Sequence, residues 1–544
     1  MQDSVATSAR TTGRRFSEFV STARTVLPSI KDVALALFSA VLLILAFPNF
    51  EVWPLAWVAL VPLLFVAFRN HTWPTFFAGW IFGIMFFYCT CYWLTYSMIN
   101  FGRFPPPVAY IALLPGAFVI GIFPAFFAYI LAKAIRRWGT RALFLSPILW
   151  PAFEWARLQC TGQLWNAIGY SQAYHPQFIW TASFGGVYLV GFTILLVNAA
   201  IAYSIIQRTR QSFLVALATL IVVAALGVYG TGATNRGTAI VPEAYVVAVQ
   251  PNVPMTLVKS VAEMRRLADH HFKVSEQALN NLPQDGKPRL VIWPESPMYF
   301  SYGSDGLLRE RIANFAKQHR TFLLLNSQEV APHDGLYNSA VLINEEGRLV
   351  SQYDKIRLLP FGEYVPLPRW LPGAGLITAI VGDFTPGTEY RQMQIGPIRA
   401  GTFICIESAY PYIARQFTRD GAGVLINISN DGYLGPTAVL RQHLANAVFR
   451  AVENGRPVLR VTNTGITAFI TERGQVTDPT STYRQDVRVW YVVGSPESQT
   501  FYTSVGDLFV WICVVISLLV FIVTTFKRER SWRVNDRNVI DSGS

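Results

Sequence analysis

Charge is scarce in this chain. Of 544 residues only 14% are Asp, Glu, Lys or Arg, against about 25% in an ordinary soluble domain, which excludes a conventional soluble enzyme. Acidic residues are the scarcer sign, 33 against 45 Lys and Arg. Cysteine is rare too: Cys89, Cys91, Cys160, Cys405 and Cys513 are the five. Four of them lie in or beside apolar runs, so Cys405 is alone in segment 231–504, which therefore holds no internal disulfide. Histidine is thin and scattered. His270, His271, His319, His333 and His443 lack metal-ligand spacing, so no metal site is expected and a surface or helix-face position accounts for each. No repeat recurs at solenoid periods. What abounds is apolar, 52% hydrophobic and 14% aromatic residues with a mean hydropathy of +0.32, and this excludes a disordered chain.

The apolar residues are concentrated in eight runs, at about 32–47, 54–68, 75–98, 108–134, 142–158, 186–206, 212–230 and 505–526. A bilayer core needs ~20 apolar residues per helix. Pro62 shortens the second run, and Pro147 and Pro151 interrupt the fifth. One such run would also suit a buried core helix, but seven before residue 231 predict a polytopic membrane bundle. Lys and Arg crowd alternate connections and both tails: Arg10 to Lys31, Arg69, Lys133 to Arg141, Arg208, Arg210 and Lys527 to Arg537. The opposite short loops hold only Arg103 and Arg157. The positive-inside rule then predicts two cytoplasmic termini. The expected organisation is a cytoplasmic tail (1–31), seven helices (32–230), an outward domain (231–504), an eighth helix (505–526) and a second cytoplasmic tail (527–544). Segment 231–504 has 26 Lys/Arg and 24 Asp/Glu, so the net charge of +12 sits mostly on the membrane part. Topology accounts for that charge; no basic groove motif points to nucleic acid. The first run lacks a small-x-small cleavage site and reads as an uncleaved helix.

The outward segment alternates between strands and helices. Residues 244–250, 289–294, 321–327, 336–344, 400–405, 423–429 and 457–463 are short, β-branched and bounded by Gly, Pro or Asn. Residues 256–281, 305–319 and 437–454 carry helical periodicity. An α/β domain follows, and its chemistry is expected at loops leaving the carboxyl ends of strands. Glu295, Cys405 and Asn427 to Asp431 lie at such ends, while Lys355 and Glu363 follow a hairpin-like stretch. A lone Cys405 is either a small buried hydrophobe or a nucleophile. A thiolate nucleophile needs a base and a cation or N–H donors for its oxyanion. Glu295 and Lys355 are residue types that supply these; each is equally a type found as a solvated surface charge.

Trp293-Pro294-Glu295-Ser296, Tyr353-Asp354-Lys355 and Cys405 with Glu407 resemble the Glu–Lys–Cys triad of the nitrilase (carbon–nitrogen hydrolase) superfamily. Joined to the helical bundle, the whole chain resembles the apolipoprotein N-acyltransferase family. Trp53-Pro54-Leu55-Ala56-Trp57, Tyr92-Trp93, Glu154-Trp155-Ala156-Arg157 and Gly169-Tyr170-Ser171-Gln172 follow it in the membrane part. Val249-Gln250-Pro251-Asn252, residues 359–366, Ser429-Asn430-Asp431, Arg456-Pro457 and Thr462-Asn463-Thr464-Gly465 do so in the domain. The resemblance implies a four-layer αββα sandwich and a two-step acyl transfer without a cofactor. Glu295 would deprotonate Cys405, whose thiolate attacks an ester of a membrane phospholipid, phosphatidylethanolamine being the usual donor. Lys355 and the backbone N–H of Ile406 would stabilise the oxyanion. The acceptor would be the α-amine of the diacylglyceryl-cysteine that begins an apolipoprotein. Glu363 and Glu407 match two further glutamates, read as groups supporting the triad or the amine step, or as structural ion pairs. Tyr433, on the substrate side, stands where many members have Trp. Other departures are Ile406 for Tyr, Gln163-Leu164 for Phe-Pro, and a family Trp that falls near Lys259.

The implied location is the bacterial inner membrane with a periplasmic catalytic domain. That side has no ATP or acyl-CoA, so a donor there must already carry an activated bond, as a phospholipid ester does. Aromatics such as Trp80, Phe86, Phe87, Tyr92 and Trp93 could frame a lateral opening or form an interfacial belt. Glu154 and Arg157, one turn apart, are either functional or a structural pair. Two other readings use the same residues: a membrane-anchored nitrilase-type amidase, or a transporter or scaffold with an inert nitrilase-like domain.

Overall fold

The computed structural model describes residues 26–162, 164–234, 242–255, 260–295, 298, 300–332, 335–360, 362–364, 384–495 and 498–526. Most of the first expected tail, all of the second, and Lys259, Gln163, Ser296, His333 and Phe361 lie outside them.

Every apolar run falls on a helix. In chain order these are α1 (Ile30–Ala46), α2 (Val61–Arg69), α3 (Thr72–Thr90), α4 (Leu94–Asn100), α5 (Pro106–Trp138), α6 (Ser146–Thr161), α7 (Ala182–Gln207) and α8 (Arg210–Thr234). The last helix among the described residues is Leu508–Phe526. Among the described residues, five helical stretches are long and apolar enough to cross a bilayer: Thr72–Thr90, Pro106–Thr161, Ala182–Gln207, Arg210–Gly232 and Leu508–Phe526. The second run is not a full-length helix. Its first part is a 3-10 turn, Trp53–Trp57, and only the nine residues of α2 are α-helical, because Pro54 and Pro62 fit only the first turn of a helix. The third run ends at Thr90 and resumes as α4.

Small residues set the packing. A Cβ added at Gly83 of α3 would stand 2.8 Å from Gly121 Cα of α5, so these backbones touch directly. α1 starts on a capping box in which Ser29 Oγ accepts from Asp32 N and Asp32 Oδ2 accepts from Ser29 N, both at 3.2 Å. α7 is broken near its start, where Gly185 and Gly186 leave helical geometry and Gly186 takes φ +65°.

The α/β part is two six-stranded sheets. One runs β12-β1-β2-β3-β4-β5, the other β11-β10-β9-β8-β7-β6. The first sheet contains β1 (Ala244–Gln250), β2 (Arg289–Ile292), β3 (Phe322–Val330), β4 (Leu336–Ile343), β5 (Leu349–Asp354) and β12 (Asp486–Val492). The second contains β6 (Gln392–Ile395), β7 (Ile398–Ile404), β8 (Val424–Ser429), β9 (Val458–Thr462), β10 (Ala468–Ile470) and β11 (Val476–Thr477). Each has a parallel centre, β1-β2-β3 and β7-β8-β9, flanked by antiparallel strands. Seven strands fall where the sequence predicts them; β5, β6, β10, β11 and β12 were not anticipated, being short or carrying charge such as Asp486 and Arg488.

Alternation assigns the faces. Val247, Val291, Leu323 and Val341 pack against Val274 and Leu279 of α9 (Val261–Asn280) and Ile312 and Phe315 of α10 (Gly306–His319). Their neighbours Val246, Leu290 and Leu324 turn inward against Ala400, Ile426 and Leu459 of the other sheet. The second sheet is covered by α11 (Pro411–Arg419) and α12 (Val439–Asn454), and α12 is buried in turn against the helical part. The domain is an αββα sandwich with one outer layer pressed onto the membrane helices.

Candidate active site

Chemistry-bearing residues collect at the carboxyl ends of the parallel strands. Cys405 ends β7 and opens a 3-10 turn, Cys405–Ala409, with φ +52°. A side chain at positive φ is strained, and such strain persists only where the surroundings enforce it. Glu407 is part of that enforcement. Its carboxylate accepts from Ile404 N (2.7 Å), Ile356 N (2.7 Å), Arg357 N (3.0 Å) and Tyr353 Oη (2.9 Å). It thereby ties the turn after β7 to the turn after β5. Burial pushes its carboxyl up to about 7 against these hydrogen bonds.

Lys355 follows β5 and is 1% exposed. Its N–H donates to Asn338 O (2.8 Å), and Nζ lies 2.8 Å from Glu363 Oε1 and 3.5 Å from Glu295 Oε1. Burial opposes the ammonium, but Glu295 and Glu363 outweigh it and hold Lys355 above its ordinary value, a fixed cation. Asn338 Nδ2 donates to Glu295 Oε1 (2.8 Å) and Glu363 Oε1 (2.6 Å), bridging the two carboxylates. Asn430 N donates to Glu295 Oε2 (3.0 Å), and Leu359 N to Glu363 Oε2 (2.7 Å). Glu363 thus pairs with the lysine, while Glu407 braces backbone. Burial, and after it the charge of Glu295, pushes the Cys405 thiol up; Lys355 pulls it down. The thiol form is thereby favoured, and to act as a nucleophile the group would have to give its proton to a base.

Behind Cys405 lies a polar network. Asp431 Oδ1 accepts from Ser429 Oγ (3.0 Å) and contacts His443 Nδ1 (2.7 Å); Oδ2 accepts from Arg460 Nη2 (2.8 Å). Burial opposes ionisation of Asp431, but Arg460 and His443 outweigh it and keep the carboxyl below its usual range. His443 is 2% exposed rather than on a helix surface, and its Nε2 is 2.9 Å from Cys405 O. Cys405, Asp431 and His443 offer three donor atoms within 4.8 Å of one another. Spacing missed this cluster because the residues come from three elements. Both His443 nitrogens and both Asp431 oxygens already have protein partners, so the cluster reads as a polar brace.

The remaining expected residues scatter. Ile406 is buried in the turn after Cys405. Tyr433 touches the helical part: its carbonyl accepts from Ser97 Oγ of α4 (2.6 Å), and its ring meets Phe101 edge-on at 5.5 Å. Phe86 and Phe87 line a narrow cleft among the membrane helices, with Trp150, Glu154 and Arg157. Trp80 instead donates to Phe118 O, and Trp93 to Gln442 Oε1 of α12. Glu154 Oε1 accepts from Trp150 Nε1 and Ile168 N. Sequence reasoning missed Asn338, His443 and Arg460. A polar Asn338 inside an apolar strand, and an Arg460 between Leu459 and Val461, are the signals that could have found two of them.

Both parts of the chain are similar to known proteins. Residues 39–200 match the model of the apolipoprotein N-acyltransferase N-terminal domain, and residues 247–495 match that of the carbon–nitrogen hydrolases. An apolipoprotein N-acyltransferase of Geobacter metallireducens is 31% identical over 89% of this chain and 93% of its own. One from Brucella suis is 30% identical over 73% of this chain and 76% of its own. Among solved structures, an amidase from Nesterenkonia sp. is 18% identical, covering 49% of this chain and 95% of that one, with a TM-score of 0.35.

Proposed function

The chain belongs to the apolipoprotein N-acyltransferase family, and from that premise we propose a two-step acyl transfer through Cys405. It is a bacterial membrane enzyme that transfers acyl groups, with lipids and lipoproteins as its substrate classes. In the first step Glu295 takes the Sγ proton as Sγ attacks the ester carbonyl of a phospholipid. Lys355 and the Ile406 N–H offset the oxyanion. The C–O bond breaks, the glycerol oxygen regains the proton from Glu295, and a lysophospholipid leaves a thioester behind. In the second step the α-amine of a diacylglyceryl-cysteine attacks that thioester. The C–S bond breaks, and Glu295 returns the amine proton to Sγ. An ester becomes an amide, so no ATP is consumed.

One observation carries the reading: Lys355 Nζ sits between Glu295 (3.5 Å) and Glu363 (2.8 Å), with the charges of all three acting on the Cys405 thiol. Phosphatidylethanolamine is the proposed donor. Segment 231–504 faces the periplasm and both termini the cytoplasm, in accord with the Lys and Arg distribution.

The test is intact mass of the purified chain after incubation with phosphatidylethanolamine alone, beside Cys405→Ala. A hydroxylamine-labile gain of one acyl chain on wild type only is expected, discharged by a diacylated lipopeptide. Release of free fatty acid in place of transfer favours the amidase reading. Neither adduct nor fatty acid overturns the phospholipid donor.

A further inference from the structure

His443 faces two acceptors. Nδ1 is 2.7 Å from Asp431 Oδ1 and Nε2 is 2.9 Å from the carbonyl of Cys405. A carbonyl can only accept, and Asp431 behaves as a carboxylate because Arg460 and Ser429 donate to it as well. A neutral imidazole has one N–H and would leave a lone pair against one of these oxygens in a buried site. Two donors are required, and only the imidazolium has two.

The charges around the site ask for the same thing. Three carboxylates, Glu295, Glu363 and Asp431, are enclosed, and among the described residues the permanent cations paired with them are two, Lys355 and Arg460; Arg450 nearby is taken up by Glu453. The other titratable neighbours are the Cys405 thiol and Tyr483, which feels the Asp431 charge. Trp165, from the helical part, closes the remaining side with its ring centroid 5.6 Å from that of His443. One His443 nitrogen lies within 4.8 Å of Cys405 Sγ, a distance at which a cation favours a thiolate.

We propose that His443 is a fixed imidazolium, a second cation beside Lys355, which braces the strained Cys405 backbone and favours the thiolate at Sγ. It is a positioning residue: it acts through Cys405 and not on the substrate. The role rests on Cys405 being the nucleophile; the charge state does not.

Two measurements on the full chain test this. Solid-state ¹⁵N spectra of histidine-labelled protein in bilayers, with His443 assigned by difference from His443→Gln, should show two protonated ring nitrogens at pH 7.5. One bare and one protonated nitrogen overturns the proposal. Alkylation of Cys405 by iodoacetamide, read by peptide mass across pH, should shift up by about one pH unit in His443→Gln. That is a roughly tenfold slower reaction near neutral pH. Gln can still donate to the Cys405 carbonyl, so a purely structural role predicts an unchanged profile, which also overturns the proposal. If His443→Gln does not fold, the wild-type spectrum assigned through Cys405-selective labelling decides. An imidazolium signal without any acyl adduct on Cys405 would overturn the nucleophile and leave the charge state standing, so the two readings fail separately.

Discussion

Helices α9 and α12 cover opposite outer faces of the same sandwich, and both are rich in polar residues. α9 buries one stripe, Ala268, His271, Val274, Ser275 and Leu279. In α12 every residue except Arg441 is buried. The difference is the second neighbour: α9 has a sheet on one side and open surface on the other, whereas α12 has a sheet on one side and membrane helices on the other. Its polar side chains survive burial because they are paired. Gln442 accepts from Trp93 and Trp165 and donates to Thr90 O and Pro48 O. Arg450 donates to Ser408 O and Glu453, and Glu453 in turn accepts Val187 N, just past the break in α7. α12 therefore connects the turn that carries Cys405 to the membrane helices.

Among the described residues the two buried histidines repeat the contrast. His271 of α9 has one acceptor, Leu267 O at 2.7 Å, and burial pushes it down to about 4, so it stays neutral. His443 of α12 has two acceptors, and we assign it the charge.

The sharpest break in this comparison is Arg450→Ala, which strands the buried Glu453 carboxylate. Thermal unfolding in detergent should show a loss of about 3–5 kcal/mol. Gln442→Ala takes away the partner of the Trp165 indole N–H and of the Pro48 carbonyl, while the Trp93 indole keeps Thr90 O; it should cost about 1–3 kcal/mol, with acyl transfer falling further than stability does if α12 aligns the site. His271 supplies a pH signature on the other face. Between pH 6.5 and about 4 the unfolded chain binds a proton that the folded chain refuses, so stability falls as pH falls through that window. His271→Gln should recover on the order of 1–2 kcal/mol of that acid-induced loss, read as the difference between unfolding midpoints at pH 7 and pH 5. The smallest effect is expected for Lys273→Ala on the exposed side of α9, within about 0.5 kcal/mol. A loss comparable to that of Gln442→Ala would mean that α9, too, is covered by something.

Much of this was legible beforehand. Apolar runs marked the helices, and β-branched runs bounded by Gly and Pro marked seven strands. Glu295, Cys405 and Asn427 to Asp431 stood out at strand ends, and Lys355 just after a hairpin-like stretch. The short second run misled because two prolines shortened its helix. The edge strands escaped because their pairing partners, not their composition, make them strands. His443 escaped for a related reason: nothing in Gln442-His443-Leu444 says that one side chain reaches a carboxylate and a carbonyl from two other elements.

By itself the sequence determined the membrane character, the α/β domain and which polar residue types stand at its strand ends. Those properties follow from side-chain hydropathy and local backbone preference, which each residue carries wherever it lies. The tertiary structure alone decided which polar groups share a cavity, which helix face is dry, and which ionisable side chains must hold a charge. Those outcomes depend on partners brought from distant parts of the chain, and on the exclusion of water that only the assembled layers produce.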